Sequence, residues 1–163
     1  MYRPSVAFPA DLEQADQHFA SGVNHRGEVR GFALSGRHVG ITFPTVRAAL
    51  LAELEIYFGP GCLLRVFVDS GAFSEVEFVP AAGKFETVEP ITEEGWTKRF
   101  DLYKKIATGF RRRAYLVAPD KVGDQDVTLE RLARWALEVS ACAALGAQII
   151  VPVQHCLLAN CTR

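Results

Sequence analysis

Apolar and polar positions change their pattern near residue 38. Before it, Ser21-Gly22-Val23-Asn24-His25-Arg26-Gly27 breaks any periodicity, and residues 1–37 read as an irregular N-terminal arm. Beyond it, strand-like and helical patterns alternate. His38 to Phe43 is a short β-rich run closed by Pro44. Thr45 can cap a helix whose apolar positions Val46, Ala49, Leu50, Leu54 and Tyr57 follow i, i+3, i+4 spacing. Gly59-Pro60-Gly61 ends it. Leu63 to Val68 is nearly all apolar, the mark of a strand covered on both faces.

After Asp69, the runs Glu75–Val79 and Lys84–Val88 flank Pro80-Ala81-Ala82-Gly83, which predicts an inserted hairpin or extended loop. A second helix is expected from Thr92, with Glu93 and Glu94 favouring its N-terminal dipole. Trp96, Phe100, Tyr103 and Ala107 form its apolar face, and Gly109 is its expected stop. A strand over Ala114–Ala118 and a polar loop over Pro119–Asp126 follow. Asp124 and Asp126 are placed to cap the third helix. That helix carries Leu129, Leu132, Ala133, Ala136 and Leu137 on one stripe and ends at Gly146, before a last strand over Gln148–Val153.

This alternation predicts an α/β protein with mostly parallel strands. Two closures fit it: a flavodoxin-like sheet, or about four strand–helix units of a (β/α)8 TIM barrel, whose full form takes about 250 residues. Residues 38–154 form the expected barrel domain, and residues 155–163, which lack periodicity, an unstructured or truncated tail.

Composition narrows the class. A chain of 163 residues with 49% apolar and 23% charged positions is one ordinary globular domain, neither disordered nor collagenous. No apolar run approaches the ~20 residues of a membrane span, and the N-terminus has no apolar signal core. Four sparse cysteines suit reduced thiols, and a cytoplasmic location is expected. The net charge of −1 carries no global signal for nucleic acid. Lys98, Arg99, Lys104, Lys105 and Arg111-Arg112-Arg113 are the one basic concentration, read as a solvated helix face and loop. The arginine triplet precedes a strand and so belongs to the opposite end from any site at the strands' carboxyl ends. The histidines His18, His25 and His38 stand alone, and no P-loop, Rossmann glycine motif or Cys-x-x-Cys occurs.

Parallel α/β proteins place their chemistry just past the carboxyl ends of the strands. There this chain has Asp69-Ser70-Gly71, then Pro119-Asp120, then Gln154. Each aspartate could instead cap its own loop. Three successive strands delivering polar groups to one rim favours a polar ligand.

Asp69-Ser70-Gly71-Ala72-Phe73 resembles the Asp-Ser-Gly-Gly-Phe signature of the tRNA-guanine transglycosylases, TIM-barrel enzymes that exchange guanine for a 7-deazaguanine base. It is most similar to their phage and bacterial relatives that place 7-deazaguanines in DNA. Two further pieces follow in the family's order: Asp120 at the position of the base-reading aspartate, and Gln154 at that of the glutamine in a Val-Gln-Gly segment. The resemblance covers residues 63–154. It departs at Ala72 for the second glycine, at Ser74 for a glutamine and at His155 for the glycine after Gln154.

The resemblance implies a pentosyltransferase acting on tRNA or DNA with a 7-deazapurine base as co-substrate. Asp69 is the implied acid/base group, and Ser70, Gly71, Phe73, Asp120 and Gln154 are the implied substrate-binding residues. The family's nucleophilic aspartate is expected on a strand beyond the end of this chain. Its zinc site of three cysteines and a histidine is not expected here, because His155, Cys156 and Cys161 lack that spacing. The chain alone is therefore expected to be inactive. The chemistry suits these residues: exchange passes through an oxocarbenium-like state that a carboxylate stabilises. An aspartate accepts from guanine N–H groups, a glutamine amide pairs with a carbonyl and its neighbour, and a flipped base needs an aromatic wall. Phe73 and Tyr115 are candidates for that wall, with Phe73 read also as core. A non-catalytic remnant or binding module, and a TIM-barrel carboxylate hydrolase, are the alternatives.

Overall fold

The structure, a computed structural model, describes residues 18–81 and 83–153. In chain order its main elements are β1 (Phe19–Ala20), α1 (Arg26–Leu34), β2 (His38–Thr42), α2 (Ala48–Phe58) and β3 (Val66–Asp69). Then come β4 (Val76–Val79), β5 (Lys84–Thr87), α3 (Glu93–Phe110), β6 (Ala114–Val117), α4 (Gln125–Arg134), α5 (Ala136–Ala144) and β7 (Gln148–Ile150). Five strands form one sheet in the order β1-β2-β3-β6-β7, with every neighbouring pair parallel. The order follows the chain without reversal. β4 and β5 form a separate antiparallel hairpin inserted between β3 and α3.

Alternation along the strands divides the sheet into two faces. Val39, Ile41, Val66, Val68, Ala114 and Leu116 are buried in one cluster with Val29 of α1, Leu54 and Phe58 of α2, Phe100 and Ile106 of α3, and Cys142 of α5. These helices therefore cover the same face, as right-handed crossovers between sequentially ordered strands require. Each of the larger side chains here contributes about 1.5–3 kcal/mol by leaving water. On the other face, the Phe19 ring meets His38, Phe67 and Tyr115 at centroid distances of 5.4, 5.6 and 5.5 Å.

The mixed α/β class and the parallel sheet agree with the pattern read from the sequence, and several local expectations do not. Within the segment read as an irregular arm lie β1, the edge strand of the sheet, and α1. The helix expected from Thr45 begins at Ala48; Phe43–Thr45 is a 3-10 turn in which the Thr45 hydroxyl donates to the Thr42 carbonyl. α3 runs through Gly109 to Phe110, and Arg111 takes the positive φ of 51° at its end. The helix expected from Thr92 begins at Glu93, and Thr92 caps it by accepting from the Gly95 N–H. The third helix is two, broken at Trp135, and its expected stripe points outward: Leu129, Ala133, Ala136 and Leu137 are exposed. The inward positions are Thr128, Arg131, Trp135, Val139 and Cys142. No helix among the described residues is long and apolar enough to cross a membrane.

Candidate functional site

Because β3 and β6 are parallel neighbours, the loops that leave their carboxyl ends lie side by side. Asp69 is the last residue of β3 and faces the same side as Phe67, while Asp120 comes three residues after β6 ends. The two loops are tied together: the Ser70 hydroxyl donates to Asp120 Oδ1 at 2.7 Å and accepts from the Ala72 N–H at 3.2 Å. Ser70 is only 1% exposed. Both capacities of this hydroxyl serve the loop junction.

Gly71 holds a φ of +77°, and a Cβ there would stand 2.9 Å from Pro44 Cδ. The glycine is thus required by the turn and by the close approach of Pro44, and the same contact seats this loop against the end of β2. Phe73 is 64% exposed, so its reading as core does not hold. Tyr115 is the second residue of β6, toward the amino ends of the strands, where it packs edge-on against Phe19 and lies beneath the Arg65 guanidinium. That places it away from the Asp69 rim. Gln154, His155, Cys156 and Cys161 lie outside the described residues.

Four charged side chains complete the site, and the sequence reading assigned none of them a role there. Glu75, fully buried, receives both arms of the Arg131 fork at 2.7 and 2.8 Å. It also accepts the Ile91 N–H, and the Lys121 ammonium stands 3.8 Å away. Arg131 further donates to the Asp120 carbonyl. Arg99, only 6% exposed, donates from Nε to the Ser70 carbonyl at 2.8 Å and from Nη1 to the Gly95 carbonyl at 3.0 Å. Its guanidinium stacks over Phe43 at 4.4 Å and Trp96 at 5.3 Å. Arg99 is therefore not part of a solvated basic face. Its place three residues after Trp96 and four before Tyr103 was the available signal, since that spacing puts it on the inward stripe.

Three carboxylates (Asp69, Glu75, Asp120) thus face three cations (Arg99, Lys121, Arg131). Burial pushes the Asp69 carboxyl above its ordinary pKa, opposed by the N–H groups of Gly71 and Ser70 and by Arg99. Burial likewise raises Asp120; the Ser70 bond and Arg131 lower it, while Asp69 and Glu75 raise it further. The influence of Asp69 on Asp120 marks the two carboxyls as sharing one electrostatic environment. One half-buried carboxyl with raised proton affinity beside a second that can accept hydrogen bonds is a pair suited to proton transfer and polar recognition.

A concavity of about 790 Å³ lies elsewhere, at the amino ends of the strands, lined by Glu55, Gly59, Pro60 and Thr108 to Arg113. Arg113 is committed there to the Phe58, Leu64 and Gly59 carbonyls, which ties the start of β6 to the loop before β3. Among the described residues, no group of three or more histidine, cysteine, aspartate or glutamate side chains is placed to hold a metal. No family model, no curated protein and no solved structure matches the chain.

Proposed function

We propose that this chain carries the base-recognition part of a transglycosylase-like site that exchanges guanine for a 7-deazaguanine base in tRNA or DNA. The observation that carries the reading is the junction of the Asp69-Ser70-Gly71 loop with Asp120 through the Ser70–Asp120 hydrogen bond. In this reading Asp69, with its raised proton affinity, does acid/base work at the glycosidic centre. Asp120 and Gln154 read the base edge, and Gly71 and the exposed Phe73 border the nucleotide. The partners are the nucleic acid and the free base, in a cytoplasmic setting, and the chemistry calls on no cofactor from this chain.

The parent architecture proposed is the (β/α)8 barrel. Sequential strand order and α1, α2, α3 and α5 on one sheet face support an arc of a barrel over a flavodoxin-like sheet, whose helices lie on both faces. A non-catalytic binding module is the second reading. It is favoured by the commitment of Ser70 and Asp120 to each other, a bond that would also serve only to hold two loops.

Incorporation of labelled guanine or 7-deazaguanine into tRNA and into duplex DNA tests the proposal, using the chain alone and a version lengthened after Arg163 by further strand–helix units. Exchange in the extended version only, abolished by Asp69→Asn, is the expected result. Exchange that survives Asp69→Asn overturns the assignment of Asp69, and equal exchange in both versions overturns the partial-barrel reading.

A further inference from the structure

Glu75 is fully buried, yet the proposed chemistry gives it no part. It closes the 3-10 turn after Gly71, so it moves with the Asp69 loop. Its partners come from three other places. Ile91 precedes α3, Lys121 follows Asp120 in the β6 loop, and Arg131 belongs to α4. Arg131 spans the junction, with its fork on the Glu75 carboxylate and one further bond to the Asp120 carbonyl. The loop behind Asp120 is fixed from its far side as well, because Thr128 Oγ1 accepts the Lys121 N–H at 2.9 Å and Asp124 caps α4.

We propose that the Glu75–Arg131 ion pair is the positioning device of Asp120, locking the Asp69 loop to the Asp120 loop so that the Asp120 carboxyl is held in one place. A single long side chain would leave the Asp120 backbone free to pivot. A bidentate fork held at both oxygens of a buried carboxylate does not allow that. Ser70 holds the Asp120 side chain and Arg131 holds its backbone, so the carboxyl is fixed at two points. In the base-exchange reading, on which only this consequence rests, the pair sets how well Asp120 meets a base edge. Glu75 and Arg131 are positioning residues and touch no substrate.

Among the groups that face Asp120 are Ser70, Asp69, Glu75, Arg131 and the Tyr103 phenol, with Lys121 next in the chain. Glu75 and Arg131 act on it with opposite signs, which gives a readout that lost packing does not imitate. Asp120 is titrated by carbon NMR of its carboxyl in the wild type, Glu75→Gln and Arg131→Gln. Glu75→Gln is expected to lower the Asp120 pKa and Arg131→Gln to raise it, while Arg131→Lys, which keeps the charge and loses the fork, leaves it near the wild-type value. Guanine affinity, measured on the same proteins, is expected to fall on the order of tenfold or more in Glu75→Gln and in Arg131→Lys, the scale of a small misplacement. Shifts in the same direction, or no shift, in the two neutral variants overturn the proposal. If Arg131→Gln does not fold, the absence of a downward shift in Glu75→Gln overturns it. A wild type that binds no guanine while the opposite shifts appear overturns the base-exchange reading and leaves the positioning standing.

Discussion

Ser70 Oγ and Asp120 Oδ1 stand 2.7 Å apart across fifty positions of sequence, and this bond joins the loops that follow two adjacent parallel strands. It also favours the charged form of Asp120 against the burial that opposes it. Ser70→Ala removes the donor and leaves a buried acceptor without it. The expected cost is about 1–3 kcal/mol of stability, with the Asp120 pKa moving up. Denaturant unfolding and a carboxyl titration check the two parts.

Asp69 offers a prediction with a sign. Its carboxyl takes up a proton more readily in the folded protein than in an unfolded chain, because burial is the largest influence on it. Such a group contributes stability that is complete below the unfolded pKa and is lost as the pH rises through the folded one. Asp69→Asn removes the charge and keeps the shape. At neutral pH the variant should unfold at a higher temperature than the wild type, and the gain should vanish below the ordinary aspartate range near pH 4. Thermal unfolding at a series of pH values checks it. A loss of stability at pH 7 would mean that Asp69 is held by contacts that need its charge.

Gly71→Ala meets two obstacles, a φ of +77° and the Pro44 ring 2.9 Å from the new methyl group. The left-handed conformation alone costs roughly 1–2 kcal/mol in any residue with a Cβ. The variant should lose at least that much stability and displace the loop from Asp69 to Ala72, seen as amide shifts confined to these residues and Pro44's neighbours.

Glu75→Ala leaves Arg131 and Lys121 facing an empty place in a buried setting. Breaking a buried pair on one side costs about 3–5 kcal/mol. Glu75→Gln, which keeps an oxygen for the Ile91 N–H, should cost less. Equilibrium unfolding of the two variants ranks them. Equal losses would place the whole stabilising role in the ion pair that both variants break, and a Glu75→Gln variant as stable as the wild type would place it in the Ile91 contact and packing instead.

The sequence made the sheet legible because its strands are apolar runs bounded by clear breakers, as at Val66–Asp69 and Ala114–Val117. β1 escaped notice because two residues carry no period, and α1, with Gly27 and Gly31, has a weak helical signal. The α4–α5 stripe misled for a physical reason. Its most apolar face, Leu129 to Leu137, is exposed, while Thr128 and Arg131 turn inward to hold the Asp120 loop. The site was legible only in part. Asp69 and Asp120 announced themselves as aspartates after apolar strands, and the pattern placed their loops together. Glu75, Arg99, Lys121 and Arg131 did not, because a polar residue within an exposed-looking run shows its burial only through the direction of its Cβ. For Arg99 that direction was encoded in its spacing from Trp96 and Tyr103. For Glu75, in a single 3-10 turn, no period existed to read.

The most direct measurement of the central claim is a calorimetric titration of the chain at neutral pH with guanine and, separately, with adenine, in the wild type and in Asp120→Ala. The wild type is expected to bind guanine weakly but in preference to adenine, because carboxyl oxygens of Asp120 accept from the guanine amino and ring N–H groups. Asp120→Ala should lose that preference while remaining folded. Guanine affinity unchanged in Asp120→Ala, or no purine affinity in the folded wild type, would contradict the account.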